Sequence, residues 1–207
     1  MGIINRTRKQ YIPPSPVTAT ARSLEEIEVA LAEHVHFHFV RNIVAFNVIG
    51  ESRCLPIFHE CDVLVCSKSG YLTEIEIKRS WKDFLADFRK KHRHGFRYGT
   101  STKFFFYCLP SGCLEAAYEE LDRHADELFY SGIITYDEDL NLEIHGRRFR
   151  YQLDNRLKVS YSVTSRSADP LFIEQRLELA RLGCMRVVRM KKNSIKESCN
   201  IKDSKEE

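Results

Sequence analysis

Acidic and apolar residues alternate between residues 58 and 79, in the stretch of the chain best suited to chemistry. Successive side chains of a β-strand point to opposite faces, so Glu60, Asp62 and Leu64 are expected to share one face of a first strand. Cys61 is expected on the opposite face, with the apolar residues that follow it. The alternation therefore predicts a first strand with one acidic face and one apolar face.

A second strand continues the pattern after a turn that ends at Gly70, with Glu74, Glu76 and Lys78 on one face. If the two strands pair as a hairpin, carboxylates and one lysine converge on one surface. Such a group, without an evident serine or thiol nucleophile, suits a divalent cation and an activated water. The alternative is a half-exposed hairpin whose polar face is only solvated.

A helix is predicted in front of these strands, from Ser23 to about His34, because Ser23 and Glu26 have the spacing of a capping box. At 100° per residue, Glu28 is the acidic residue of this helix nearest to its apolar stripe. It is either a further carboxylate directed at the sheet or a glutamate at the edge of a packed face.

A second helix is predicted directly after Lys78, capped by Ser80 with Asp83 and ending near Lys91. The continuous apolar run at 104–109 predicts a buried strand, and a strand, helix and buried strand in succession imply a parallel crossover. Basic side chains on this helix and in the loop after it should lie near the carboxylates. They are Lys82, Arg89, Lys90, Lys91, Arg93 and Arg97.

The fold class predicted from this order is α/β, with an αβββαβ core in which helices flank a mixed sheet, followed by a C-terminal α+β elaboration. In that elaboration we expect a hairpin at 140–151 that turns at 145–146, and a helix at 171–182 that Gly183 ends. The expected segments are a flexible basic arm at 1–22, a core at 23–110, an elaboration of the same domain at 111–190 and a disordered tail at 191–207.

Asp62 followed by Glu76-Ile77-Lys78 resembles the D…(D/E)xK signature of the PD-(D/E)xK nuclease superfamily. The longer run from Glu76 to His92 is most similar to its MmcB-like branch of DNA-repair and phage nucleases. Cys61 stands where the superfamily name has proline. The resemblance covers roughly residues 24–110 and implies a restriction-endonuclease-like core.

The resemblance also implies a function, namely metal-dependent hydrolysis of DNA phosphodiester bonds by an endonuclease or a structure-selective repair nuclease. Asp62 and Glu76 would bind Mg²⁺ or Mn²⁺, with Glu28 as an extra carboxylate from the first helix. Glu60 would be a further metal ligand or would contact one of these ligands. Lys78 would either act on the attacking water or neutralise charge on the phosphate, and the number of metal ions stays open.

Charge is unevenly distributed along the chain, although the net charge is only +3. Residues 79–103 carry eight Lys or Arg and two acids, whereas residues 115–143 carry ten acids and one base. This segregation predicts a basic side suited to a polyphosphate partner, either DNA or, less favoured, RNA. Solvated helix faces of differing sign are the alternative.

Composition limits the remaining possibilities. The sequence contains no run of about 18 apolar residues, so no membrane span is predicted. The first residues lack the apolar core of a signal peptide. The seven cysteines include no CxxC pair, which predicts free thiols in a cytoplasmic protein. A non-catalytic nucleic-acid-binding protein, an RNA-processing nuclease and a plain interaction protein remain alternatives. The oligomeric state, a homodimer included, and the sequence specificity stay open.

Overall fold

A computed structural model of the chain describes residues 22–48, 55–57, 59–89, 102–124, 130–153, 156–163 and 165–203. Most of the predicted basic arm lies outside the described residues. So do four of the predicted nucleic-acid contacts, namely Lys90, Lys91, Arg93 and Arg97.

Six strands form one mixed sheet in the spatial order β1 to β6. Strands β1 to β3 pair antiparallel, β3 to β5 parallel, and β5 with β6 antiparallel. The predicted α/β class with a mixed sheet is therefore confirmed. The strand bounds are β1 Ile43–Val48, β2 Cys61–Cys66, β3 Leu72–Ile77, β4 Thr102–Pro110, β5 Ser131–Tyr136 and β6 Leu142–His145.

Helix α1 (Leu24–Glu33) covers one face of this sheet. The Ser23 side chain accepts a hydrogen bond from the Glu26 backbone N–H, and the Glu26 carboxylate accepts one from the Ser23 backbone N–H, so the predicted capping box is present. Ile27 and Leu31 pack onto apolar side chains of β2 to β5. This apolar layer fixes the position of α1 over the strands that carry the acidic residues.

Helix α2 (Trp81–Asp87) connects β3 to β4, which are parallel as predicted. Ser80 caps the helix by accepting a hydrogen bond from the Asp83 backbone N–H. The Asp83 carboxylate accepts in return from the backbone N–H of Arg79, one residue before the expected partner. The short connection from β3 places the start of α2 next to the end of the acidic strand.

Two further helices cover the opposite face of the sheet. Helix α3 (Leu114–Arg123) follows a 3-10 turn at Ser111–Cys113 and packs, together with Phe84 of α2, against β4 and β5. Helix α4 (Ile173–Asp203) packs against β1 and β2, where Leu179 joins a buried cluster. Within the described part of the chain, no helix is long and apolar enough to cross a membrane.

The course of α4 corrects one prediction. The helix was expected to end at Gly183, but it continues through Gly183 to Asp203. A Cβ atom on Gly183 would lie 3.3 Å from the Val44 carbonyl oxygen and 3.5 Å from the Ala45 Cβ. The glycine therefore allows close packing of the helix on β1, and it does not mark a helix end.

The predicted hairpin at 140–151 is also wrong. Strand β6 pairs with β5 around a turn at 137–141, whereas β7 (Arg147–Leu153) pairs with β8 (Arg156–Ser162) in a separate two-stranded sheet. The chain changes sheets at Gly146, where a Cβ atom would lie 2.3 Å from the Ser162 backbone carbon. Close contact with the second sheet therefore explains this glycine.

Candidate functional site

The acidic face of β3 lies in the middle of the sheet, between two apolar clusters. Glu74 pairs with Leu64 on β2 and with Phe105 on β4, and these two neighbours belong to the clusters beneath α4 and α3. Glu76 is aligned with Tyr107. Both glutamates are 3% exposed. Because buried carboxylates are costly without compensation, polar partners are expected around them.

Lys78 provides the compensating charge at the end of β3. Its Nζ donates to Glu76 Oε2 and to Asp87 Oδ1, each at 3.0 Å. The Tyr107 hydroxyl donates to the second Asp87 oxygen at 3.2 Å. Burial disfavours the charged ammonium, but the charges of Glu76 and Asp87 outweigh it and raise the pKa of Lys78. The lysine is therefore a cation at neutral pH.

Glu74 is the centre of a second group on the same face of β3. His59 Nε2 lies 2.6 Å from Glu74 Oε1, the Thr102 hydroxyl donates to Glu74 Oε2 at 3.4 Å, and Cys61 Sγ lies 3.4 Å from His59 Nε2. Burial opposes the imidazolium form, but Glu74 outweighs it and the pKa of His59 is raised. His59, Cys61 and Glu74 have potential metal-ligand atoms that all lie within 4.8 Å of one another.

Glu28 and Asp62 belong to a third group, at the far end of β1. Asn47 Nδ2 donates to Glu28 Oε1 at 2.7 Å, and Asp62 Oδ2 accepts from the Ile77 backbone N–H at 2.8 Å. Burial raises the pKa of Glu28, and the negative charge of Asp62 adds to the increase, against the effect of Asn47. The Ile77 amide follows Glu76 directly, so Asp62 is fixed beside the backbone of the acidic strand.

Strand alternation fails between Cys61 and Val63, which corrects one prediction. Cys61 was expected on the face of Val63, but it packs with Leu64 in the cluster beneath α4 and contacts His59. Asn47 lies between Phe46 and Val48, which pair with Val63 and Cys61, and it has a φ of 48°, a value uncommon outside glycine. The irregular backbone of the neighbouring strand explains why period two does not hold here.

The remaining predicted site residues lie on the surface where the structure describes them. Glu60 is exposed immediately before β2. Lys82 and Arg89 are exposed on and just after α2. Glu28 is the acidic residue of α1 that is buried, as expected, at 2% exposure, whereas the other three glutamates of that helix are exposed.

Sequence reasoning missed Asp87, Tyr107 and His59. Asp87 is buried three residues after Phe84, so helical spacing placed it on the inner side of α2. His59 and Cys61 are two residues apart, which is the strand spacing for neighbours on one face. The sequence therefore contains a signal for this pair. Tyr107 lies within a continuous apolar run and gave no signal.

Comparisons with known proteins leave the function open. No family model matches the chain, and no curated protein matches it. Among solved structures, the chain is similar to a protein of unknown function from Silicibacter pomeroyi, with 17% sequence identity and a TM-score of 0.44. That similarity covers 83% of this chain and 91% of the other. The arrangement of the residues is therefore what bears on function.

Proposed function

We propose that this protein is a metal-dependent nuclease of the PD-(D/E)xK type that hydrolyses phosphodiester bonds in DNA. One observation carries the proposal. Lys78 is buried in contact with Glu76, and the Asp62 carboxylate is hydrogen-bonded to Ile77, the residue between them. Asp62 is therefore connected to the end of β3 through the Ile77 backbone N–H, and Glu76 and Lys78 are joined there by an ion pair, which supports the proposal.

The donor set suits a hard divalent cation. Asp62, Glu76 and Glu28 offer carboxylate oxygens, which are the ligands that Mg²⁺ and Mn²⁺ prefer. Burial and the Asp62 charge raise the pKa of Glu28, as expected where acidic groups crowd together. A bound cation would polarise the phosphate and activate a water molecule. Glu60, exposed at the start of β2, remains a candidate for a further ligand.

The proposal gives Lys78 and the residues around it roles in binding and orienting the phosphate and the water. Because the pKa of Lys78 is raised, its ammonium group is suited to neutralise charge on the phosphate or to orient the water, and it is a poor base. Asp87 holds this ammonium from the other side at 3.0 Å, and Tyr107 in turn donates to Asp87. Asp87 is thus a positioning residue for Lys78. Exposed Lys82 and Arg89 would contact phosphates on either side of the cleaved bond.

The test is a cleavage assay on labelled duplex DNA, single-stranded DNA and RNA of one sequence, each with Mg²⁺, with Mn²⁺ or with EDTA. We expect metal-dependent cleavage of DNA that Asp62→Asn abolishes and that the exposed control Asp139→Asn retains. Titration of Mn²⁺ by calorimetry should lose its binding signal in the same variant. Metal-dependent cleavage of RNA alone would assign an RNA-processing nuclease. Equal cleavage by Asp62→Asn and wild type would refute the proposal.

A further inference from the structure

One side of helix α4 changes character where the helix passes the sheet. On the side of α4 that faces the sheet, Leu179 is fully buried and Leu182 is half-buried. Arg186 follows Leu182 by four residues and Arg189 follows Arg186 by three, so they lie on the same side of the helix. The side that packs on β1 therefore becomes basic beyond it.

The direction of α4 carries this basic side towards the candidate site. Before the helix begins, the Leu171 backbone N–H donates to the Gly70 carbonyl at 2.9 Å; within it, Arg176 Nη1 donates to the Lys68 carbonyl at 3.1 Å. Both acceptors lie in the β2–β3 turn, which is next to the Ile43 end of β1. Gly183 then lies against Val44 and Ala45, so the helix advances towards the Val48 end. Asn47 and Glu28 meet at that end.

Arg186 is the first residue of the basic side. It is half-buried, and its Nε atom is buried without a hydrogen-bond partner among the residues that the structure describes. It follows Gly183 by three residues, about 4.5 Å of helix rise towards the Val48 end of β1, where Asn47 donates to Glu28. An arginine thus lies close to the predicted metal-binding carboxylates and retains donor capacity.

Helix α4 itself carries charge of one sign on either side of Arg186. Between Glu178 and Glu197 the sequence contains no acidic residue and six basic ones. Arg189 and Lys192, at successive steps of three residues from Arg186, are exposed. A solvated surface helix usually alternates charges, which favour each other at spacings of three and four residues. A helix side of uniform positive charge is suited to a polyanion.

We infer that the side of α4 formed by Arg186, Arg189 and Lys192 binds the nucleic-acid backbone next to the cleavage site; this inference rests on the proposed function. Six residues of helix extend about 9 Å, which matches two to three phosphates of one strand at about 3.4 Å of axial rise each. Arg186 contacts the phosphate nearest the carboxylates, and the other two side chains contact phosphates farther along. These contacts position the strand without reading its sequence.

The experiment compares two triple variants that remove the same charge. One is Arg186→Gln, Arg189→Gln and Lys192→Gln; the matched control is Arg41→Gln, Lys68→Gln and Arg123→Gln, whose members are exposed and lie outside α4. Binding of a fluorescein-labelled duplex is measured by anisotropy in EDTA across a salt series. We expect the first variant to bind on the order of tenfold more weakly and to lose about two to three units of salt slope, while the control changes little.

The outcomes separate this inference from the nuclease proposal. Weaker binding by the first variant, in a protein that cleaves nothing with Mg²⁺ or Mn²⁺, would keep the α4 surface and reject the nuclease. Normal cleavage with identical affinities and slopes for the two triple variants would reject the α4 surface alone. An anionic membrane is the other partner for a basic helix with exposed Val187 and Val188. Binding to phosphatidylglycerol vesicles with no affinity for DNA would overturn the inference.

Discussion

Two buried ionic groups in this fold differ in which charges are buried. In the group at the end of β3, Glu76, Lys78 and Asp87 are all 3% exposed, and one cation faces two acids. In the group between α3 and β7, Arg148 is buried but its partners Glu115 and Asp122 remain partly hydrated. In the second group, two arginines pair with two partly exposed acids. In the first, two buried carboxylates share Lys78, and the proposed metal ion would add positive charge beside them.

The second group has a structural role that follows from its contacts. Arg147 donates to the Leu121 carbonyl at 2.9 Å, and Arg148 lies over the Tyr118 ring at 4.9 Å. These contacts join the two-stranded sheet to α3. Arg147 and Arg148 are not available as a surface for DNA, because both are buried and paired. The contacts of Arg147 and Arg148 therefore explain this ionic group by a structural role.

The largest effect is expected for Glu76→Gln. The amide keeps the shape but loses the charge that would hold the cation, so DNA cleavage should fall by about a thousandfold or more, equivalent to about 4 kcal/mol of transition-state stabilisation. Folding should persist, because the amide oxygen can still accept from Lys78. DNA binding in EDTA should stay equal or tighten, since repulsion of phosphate decreases. Initial rates of the variant and of the exposed control Glu25→Gln provide the measurement, and wild-type turnover by Glu76→Gln would exclude the site.

Lys78→Met should have the next largest effect, on stability. Glu76 and Asp87 would then be buried without their cation, which typically costs about 3–5 kcal/mol. Urea unfolding measures the change, and the exposed control Lys82→Met should remain within about 0.5 kcal/mol. Adding Glu76→Gln and Asp87→Asn to Lys78→Met should recover much of the loss. A Lys78→Met protein as stable as wild type would contradict the buried network.

Arg148→Met should cost less, about 1–2 kcal/mol, because its acidic partners stay hydrated when the arginine is removed. DNA affinity and cleavage should not change, since the contacts of Arg148 join α3 to β7 and involve no residue of the candidate site. Chemical unfolding and the anisotropy titration test both statements, with Arg41→Met as an exposed control. If DNA affinity falls together with stability, the two ionic groups do not differ as described.

The smallest effect concerns a part-buried pair without a net charge. His145 Nε2 lies 2.9 Å from the Thr135 hydroxyl, and burial lowers the pKa of His145, although Glu143 partly opposes this. The unfolded chain therefore takes up a proton below about pH 6.5 that the folded protein resists, so stability decreases as the pH falls through this range. Melting temperatures from pH 8 to pH 5 should decline less for His145→Gln than for wild type. Parallel declines would place the acid sensitivity elsewhere.

Local signals predicted the elements that carry the site. The capping residues Ser23 and Ser80 defined two helix starts, and the turn at Gly70, where φ is 89°, defined the hairpin. The run at 104–109 was assigned correctly because a strand with parallel neighbours on both sides is buried on both faces. Each of these signals depends on residues close in sequence.

What sequence could not predict depends on contacts between distant segments. The role of Gly183 is set by β1, about 140 residues earlier, and the position of Cys61 by the backbone of Asn47 in a neighbouring strand. The burial of Asp87 could be read from helical spacing, but its pairing with Lys78 required the position of α2 against the sheet. Tertiary packing, which has no local signature, decided all three.

The packing of α4 on β1 also affects how the chain is made. Leu72 and Leu64 contribute to an apolar surface that Leu179 completes, and Leu179 is synthesised 107 residues after Leu72. At about 5–20 residues per second, a ribosome leaves that surface uncovered for roughly 5–20 s. During this interval the nascent chain presents an apolar strand surface to chaperones and to other nascent chains. We therefore expect the cellular yield of the protein to depend on how quickly α4 is synthesised and packs on β1.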